Sequence, residues 1–155
     1  MDSHEVLETW LEYSETAQLV RTRVALRMQH ESGLSPADYL VLRALADAPD
    51  NRIRPFLLAE TIGWERSRLS HQLSRMRARA LIVHEECETD NRGTVIRLSD
   101  TGSKQLDRAG MPHVLAIREL FIDALTPEQL DWALVIGERL RAHLDDRLDS
   151  SDRAA

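Results

Sequence analysis

Apolar residues recur at helical spacing over most of the chain, which predicts a mainly α-helical protein. The first such stretch extends from about His4 to His30 and stops before Gly33, a residue typical of helix ends. Ser35 and the proline after it predict the start of a second helix, because serine caps helices and proline suits the first turn. This helix is expected to end near Asp47 and to bury Leu40, Val41, Ala44 and Leu45.

Two further helices, separated by a glycine, follow in the middle of the chain. A short helix is predicted from Pro55 to about Ile62, and a longer one from about Glu65 to Ala80, with Gly63 between them. Their predicted buried faces are Leu57, Leu58 and Ile62 in the first helix and Leu69, Leu73, Met76 and Ala80 in the second. This order of elements is the pattern of a helix-turn-helix.

A β-hairpin is predicted directly after the helix-turn-helix. β-Branched residues in rough alternation over 81–87 and 94–98 predict two strands, joined by an exposed tip. The segment 52–54 is long enough only for a very short strand.

Two long helices are predicted to complete the chain. The first begins at Ser99 or Thr101 and is kinked by Pro112, and a capping box of Thr126 and Gln129 starts the second. The last helix is expected to bury Leu130, Leu134, Gly137 or Ile136, Leu140 and Leu144. Because neither terminal arm has a self-sufficient core, we expect the arms of two copies to pair across a two-fold axis.

The composition fits one soluble domain with appended arms, since 43% of the 155 residues are apolar. No stretch approaches the roughly 20 apolar residues of a membrane span, and the acidic start of the chain does not resemble a signal peptide. A single cysteine, Cys87, permits no internal disulfide. We therefore expect a cytoplasmic protein with no membrane partner.

Charge is distributed unevenly along the chain, although the net charge of -6 argues at first against a nucleic-acid partner. Residues 52–98 carry nine arginines and six acidic residues, a net charge of +3, and the remainder of the chain carries -9. The stretch Arg66–Arg79 contains five arginines and no acidic residue. A basic module on an acidic body predicts local binding of a polyanion.

A helical wheel separates the helix at residues 65–80 into two sides. Leu69, Leu73 and Met76 define the buried side. The opposite side carries Ser67, His71, Ser74 and Ala78, with Arg68 and Arg75 on one flank. Small and hydrogen-bonding residues flanked by arginine suit insertion into the major groove of DNA, whereas an ordinary solvated helix surface usually mixes charges of both signs.

The hairpin tip carries a second candidate DNA contact. Arg92 is positioned to enter the narrow minor groove beside a docked helix, and Asp90 to hold its guanidinium in place. Taken alone, the two residues would equally form an ordinary surface ion pair.

Two motifs resemble the MarR family of transcriptional regulators. The segments Leu58–Trp64 and Arg66–Leu73 resemble the helix-turn-helix of that family. Downstream, Asp90–Gly93 followed by Leu98, Ser99 and Gly102 is similar to its wing motif, and the flanking helices fit in order. The resemblance covers nearly the whole chain, with Ala80 standing where the family usually has glycine and Arg77 where it often has glutamate.

The resemblance implies a mainly α fold with a small β-hairpin wing. A winged helix-turn-helix core would be flanked by N- and C-terminal dimerisation helices. The expected organisation is a dimerisation helix at 1–34, the DNA-binding module at 35–100, dimerisation helices at 101–149 and a disordered tail at 150–155. Such a homodimer would be a repressor or an activator of transcription that binds double-stranded DNA at a pseudo-palindromic operator, and we expect a repressor.

The resemblance also implies which residues contact DNA. It assigns base and phosphate contacts to Ser67, Ser70 and His71 and the wing contact to Arg92. Together with the helical wheel it gives the full candidate set: Arg66, Ser67, Arg68, Ser70, His71, Ser74, Arg75, Asp90 and Arg92.

A small aromatic or phenolic effector is a further implication, because the family typically binds such anions in a cleft beside the dimer helices. Trp10, Tyr13 and Tyr39 would line the cleft, with Arg43 as counter-ion. The alternative interpretation is that these aromatic residues belong to the core or to the dimer interface.

Other functions find less support in the sequence. The six histidines have no pair at metal-ligand spacing, and no serine elbow or phosphate-binding glycine loop is present, so we expect no metal, no cofactor and no enzymatic activity. Two alternatives remain: a winged-helix module that binds another protein, and a ligand or redox sensor that uses Cys87.

Overall fold

The computed structural model describes residues 1–86 and 94–152, and within them the chain is mainly helical, as predicted. The helices are α1 (Ser3–Ser32), α2 (Pro36–Asp47), α3 (Pro55–Ile62), α4 (Arg66–Ala78), α5 (Asp100–Ile117) and α6 (Pro127–Asp152). The strands are β1 (Arg52–Ile53), β2 (Ile82–Glu86) and β3 (Thr94–Leu98). The chain divides into one compact unit that ends at Ala116 and a second that begins at Ile117.

Local capping signals determine where α1 and α2 begin and end. Asp2 and Glu5 form a capping box at the start of α1, which sequence analysis missed. Gly33 ends α1 with a φ of 74°, a conformation that glycine adopts without strain. Ser35 then accepts a hydrogen bond from the backbone N–H of Asp38, so the predicted cap of α2 is confirmed.

One hydrophobic core joins α2, α3, α4 and the sheet, and Met28 of α1 and Ala109 of α5 also belong to it. Leu42, Leu45, Leu58, Met76 and Ile96 are fully buried in it. Two predicted core positions are wrong: Leu40 is 39% exposed and Leu57 is 41% exposed, while Leu42 and Ala59 are buried instead. Spacing alone identifies an apolar stripe but does not decide which of two adjacent residues faces the neighbouring helices.

The sheet has three antiparallel strands in the order β1-β3-β2. Ile96 in the central strand lies opposite Ile53 on one side and His84 on the other. The very short strand predicted at 52–54 is therefore the third strand of this sheet. Both predicted hairpin strands are also present. The hairpin tip lies outside the described residues.

Ala80, which has a left-handed backbone conformation, and the buried Gly102 bring the segment that follows α4 into contact with α5. Ala80 has a φ of 57° and is exposed, so its assignment to the core stripe is wrong and it instead ends the helix. The Ser99 hydroxyl donates to the Ala80 carbonyl at 2.6 Å and accepts from the Gly102 N–H at 2.9 Å. A Cβ on Gly102 would lie 2.1 Å from the backbone oxygen of Leu81, which explains the glycine.

The last two helices differ from prediction in detail. The helix α5 continues through Pro112, and a π-helical turn follows at Arg118–Ile122. The Thr126–Gln129 capping box is confirmed, but α6 extends to Asp152, into the segment predicted to be a tail. Three α6 residues predicted to be buried are at least 44% exposed in the single chain: Leu134, Leu140 and Leu144. Of the two alternatives at the next position, Ile136 is 46% exposed and Gly137 is half-buried.

Candidate nucleic-acid interface

The helix α4 buries one side and exposes the other, as the helical wheel predicted. Leu69, Leu73 and Met76 are at most 4% exposed and attach the helix to the core. The exposed side is here called the reading face. It consists of small and hydrogen-bonding residues, with Ser67, His71, Ser74 and Ala78 opposite the core and Ser70 beside them. Arg66, Arg68 and Arg75 are also exposed on this helix. The structure thus brings together every α4 residue proposed to contact DNA.

Arg68 stacks on a tryptophan from the turn before α4. Its guanidinium carbon lies 4.0 Å from the centre of a Trp64 ring, a cation–π contact. Because stacking restricts the arginine side chain, Arg68 has a preferred position at the edge of the reading face before any partner binds.

Asp38 is a buried acid that faces α4, and it was not identified from the sequence. Its side chain is 1% exposed and accepts hydrogen bonds from the Ser35 hydroxyl at 2.6 Å and from Gln72 Nε2 at 2.7 Å. Both terminal nitrogens of Arg79 also donate to it, at 2.9 and 2.5 Å. Asp38 lies in the first turn of α2. Its partners are Gln72 on α4 and Arg79 directly after it, 34 and 41 residues away in sequence, so no local pattern predicts the pairing.

The Asp38 carboxylate is ionised at neutral pH despite its burial. Desolvation raises the pKa of Asp38, but the hydrogen bonds from Arg79, Ser35 and Gln72 and the charge of Arg79 lower it by more, so the pKa lies below 3.8. The same hydrogen bond raises the pKa of Arg79, against a smaller opposing effect of burial. The pair is therefore a fixed bidentate ion pair between α2 and the end of α4.

A family model described as the MarR family matches residues 32–93. Sco3205, a MarR family transcriptional regulator from Streptomyces coelicolor solved in complex with DNA, is 32% identical, with a TM-score of 0.80 over 94% of this chain and 89% of that one. This chain belongs to the MarR family. AbsC, a second MarR family transcriptional regulator from S. coelicolor, is 33% identical, with a TM-score of 0.74 over 92% of this chain and 97% of that one.

A solved structure of much lower sequence identity shares this fold. A mutant MarR from E. coli, complexed with operator DNA, is 14% identical and has a TM-score of 0.74 over 90% of this chain and 99% of that one. At this identity the likeness concerns the fold alone. No curated protein matches the sequence of the chain.

The candidate effector residues fall into two groups in this MarR-family chain. Tyr39 Oη and His113 Nδ1 are joined by a 2.8 Å hydrogen bond, with the ring centres 4.6 Å apart. Arg43 lies close enough for its charge to lower the pKa of both Tyr39 and His113. Its Nε donates to an Asp47 carboxylate oxygen at 2.9 Å. The other two candidates lie on α1 and are 60% and 52% exposed: Trp10 and Tyr13.

Burial governs the titration of the Tyr39–His113 pair. Desolvation raises the pKa of Tyr39. The charge of Arg43 lowers this pKa and the charge of Asp47 raises it, both by less than desolvation does. Desolvation lowers the pKa of His113 below 6.5, and the Arg43 charge lowers it further. Sequence analysis missed His113, because only the fold brings α5 beside α2.

Asp90, Arg92 and Cys87 lie outside the described residues, so their predicted roles at the wing tip and as a redox thiol stay predictions. Among the residues that are described, no group of three or more His, Cys, Asp or Glu is arranged to hold a metal ion. None of the helices in those same ranges is long and apolar enough to cross a bilayer.

Proposed function

We propose that the chain is a sequence-specific transcriptional regulator that binds double-stranded DNA as a homodimer, acting as a repressor at a pseudo-palindromic operator. The observation that carries this proposal is the reading face of α4, which exposes hydrogen-bonding side chains beside arginine while its other side is anchored in the core. The DNA complex of the related Sco3205 supports it.

Each part of the module has a role in the proposed complex. The α4 helix enters the major groove, where His71 and Arg68 approach guanine acceptors and the serines bind bases or phosphates. Arg92, held by Asp90, enters the minor groove beside it. None of these steps is enzymatic, and the proposed site of action is the cytoplasm.

The homodimer is supported by apolar side chains that the single chain leaves exposed. On α1, Leu7 and Leu11 are 55% and 41% exposed, and on α6, Leu134 and Leu144 are 68% and 60% exposed. Exposed apolar faces of this extent mark interfaces in soluble proteins. Two-fold symmetry would present two α4 helices about 34 Å apart, which matches half-sites one helical turn apart.

Selection of bound fragments from a random DNA pool tests the function. We expect enrichment of an inverted repeat with half-sites about 10 base pairs apart, bound with an affinity that falls steeply as salt rises. Recovery of no preferred sequence would contradict the proposal. It would favour the alternative in which the basic helix docks on an acidic protein.

We also propose a small aromatic or phenolic anion as effector. The Tyr39–His113 pair close to Arg43 supports this class, because it places a phenol, an imidazole and a cation near one another. Trp10 and Tyr13 are proposed to complete the site.

A benzoate series added to the DNA complex tests the effector. We expect release of DNA with a coupling of about 1–3 kcal/mol, and loss of the response in Tyr39→Phe. An equal response in that variant would contradict this site. A response to oxidant but to no benzoate would instead favour the alternative of a redox sensor based on Cys87.

A further inference from the structure

Three arginines on one flank of α4 have intramolecular partners. Arg68, Arg75 and Arg79 fall within a narrow sector of the helical wheel, and they are here called the arginine flank. Arg68 stacks on Trp64, Arg75 donates to Gln72, and Arg79 pairs with a buried acid. The flank is therefore an ordered array rather than a set of mobile charges.

The side-chain amide of Gln72 links Asp38 to Arg75, and these two partners fix its orientation. Asp38 is ionised and only accepts hydrogen bonds, so the Gln72 amide must turn its nitrogen toward it. The Gln72 oxygen then faces Arg75, which only donates. Gln72 is 3% exposed, so water does not readily replace either partner. A buried carboxylate on α2 thus determines where the Arg75 guanidinium lies.

The same carboxylate neutralises Arg79. The Asp38 side chain is 1% exposed and the Arg79 side chain 50% exposed, so the guanidinium reaches solvent while its charge is paired internally. An arginine whose charge is cancelled by a buried acid attracts a DNA phosphate only weakly, because the paired carboxylate repels the phosphate and occupies two of the guanidinium's N–H donors. Without the acid, Arg79 would be one more mobile cation at the end of the α4 helix.

We propose that Asp38 is a positioning residue for DNA recognition, which orients Arg75 through Gln72 and keeps Arg79 from binding phosphate. This inference rests on the proposed DNA-binding function and adds to it a determinant of specificity. Arg75 then meets DNA in one orientation, and the flank gains no sequence-independent attraction from Arg79. The role therefore affects the ratio of specific to non-specific binding more than total affinity.

Asp38→Asn is the informative substitution, and Asp47→Asn is its matched control. Asparagine preserves shape but offers a donor, so Gln72 is free to turn over and Arg79 loses its charge partner. Asp47→Asn changes the net charge equally on the same helix, but Asp47 is exposed and pairs with Arg43 instead of with an arginine of the flank. Both variants and the unchanged protein are titrated with a DNA site selected by the unchanged protein and with a scrambled site, over a range of salt.

We expect Asp38→Asn to lower the ratio of selected-site to scrambled-site affinity by about tenfold, the effect of one lost base contact. Its binding to scrambled DNA should not weaken, and the slope of log affinity against log salt should steepen by about 0.9, because Arg79 is then able to bind one phosphate. Asp47→Asn should leave the ratio unchanged. A parallel loss on both DNAs, or equal ratios in the two variants, would overturn the positioning role.

Gln72→Met is a second variant that keeps the inference testable if Asp38→Asn does not fold. Methionine fills the same volume without hydrogen-bonding groups, so Arg75 loses its anchor while the Asp38–Arg79 pair stays. We expect a reduced affinity ratio with an unchanged salt slope, and an unchanged ratio would overturn the role of Gln72. If the unchanged protein prefers no DNA sequence, both the proposed function and this inference fail; if it discriminates but the variants do too, only this inference fails.

Discussion

The central module and the terminal helices solve the problem of burying apolar surface in different ways. In the module, Leu42, Leu58, Met76 and Ile96 are completely buried within the single chain. In α1, by contrast, Val24 and Met28 are the buried residues, and α6 leaves most of its large apolar side chains exposed. The module is therefore complete in one chain, whereas the terminal helices expose surface that suits a second copy.

This difference also separates two kinds of function. A complete core holds the reading face of α4 in place, which recognition of a rigid duplex requires. Helices with uncovered apolar faces are suited to set the distance between two such modules. Substitutions in the module should therefore change folding, while substitutions in the arms should change assembly.

Gly102→Ala should have the largest effect, because the added Cβ would lie 2.1 Å from the Leu81 carbonyl oxygen. We expect a loss of about 3 kcal/mol in the free energy of unfolding, measured by urea denaturation. Gly110→Ala in the same helix is the matched control, since its Cβ would meet nothing within 4 Å. Similar stabilities for the two variants would contradict the close contact between α5 and the end of α4.

Leu134→Glu should separate the chains without unfolding them. The side chain is 68% exposed in one chain, so the charge is tolerated there but not in an apolar dimer interface. We expect the dimer dissociation constant to rise about 100-fold, measured by sedimentation, with an unchanged circular dichroism spectrum. An unchanged dissociation constant would remove this part of α6 from the interface.

Trp64→Leu should have a smaller effect on DNA binding. Because Trp64 also packs partly against the core, the titration is made where both variants are fully folded. Loss of the ring at 4.0 Å releases Arg68, and cation–π contacts at exposed sites contribute about 0.5–1 kcal/mol. We expect roughly a threefold loss of affinity for the selected DNA. Trp64→Phe retains an aromatic face and should recover most of it in the same titration. Equal losses in the two variants would show that stacking is not the cause.

His113 should contribute a modest loss of stability in acid. Its pKa in the folded chain is lowered from 6.5, so the unfolded chain binds a proton more readily. The stability is complete above pH 6.5 and is lost as the pH falls from there through the lower folded pKa. Thermal unfolding of His113→Gln should depend less on pH between 7 and 5, with the remaining slope partly due to His84, whose pKa is lowered in the same direction. An identical pH dependence in the variant would contradict this account.

Local signals explain why much of the fold was predictable. Ser35, Gly33 and Gly63 determine helix ends through their own backbone chemistry, and each acts as expected. The alternation of β-branched residues likewise identified β2 and β3. Ala80 shows where such signals mislead, since its apolar spacing placed it in the core stripe, whereas the family resemblance placed it where glycine usually ends the helix.

Non-local contacts explain what the sequence left unpredicted. The Asp38–Arg79 and Tyr39–His113 pairs join residues 41 and 74 positions apart, and nothing near either partner points to the other. The burial of Leu134 was expected from an apolar spacing that specifies a face but not what covers it. Sequence thus identified the reading face of α4, but not the residues that hold its arginines.

The most direct test of the central claim compares Ser70→Glu with Gln29→Glu in titrations of the selected DNA. Both positions are exposed and both substitutions add one negative charge, but only Ser70 lies on the reading face. We expect a loss of at least about 100-fold in affinity for Ser70→Glu, because a carboxylate would face phosphates and base acceptors, and little change for Gln29→Glu. Equal affinities of the two variants would contradict the claim that this face of α4 binds DNA.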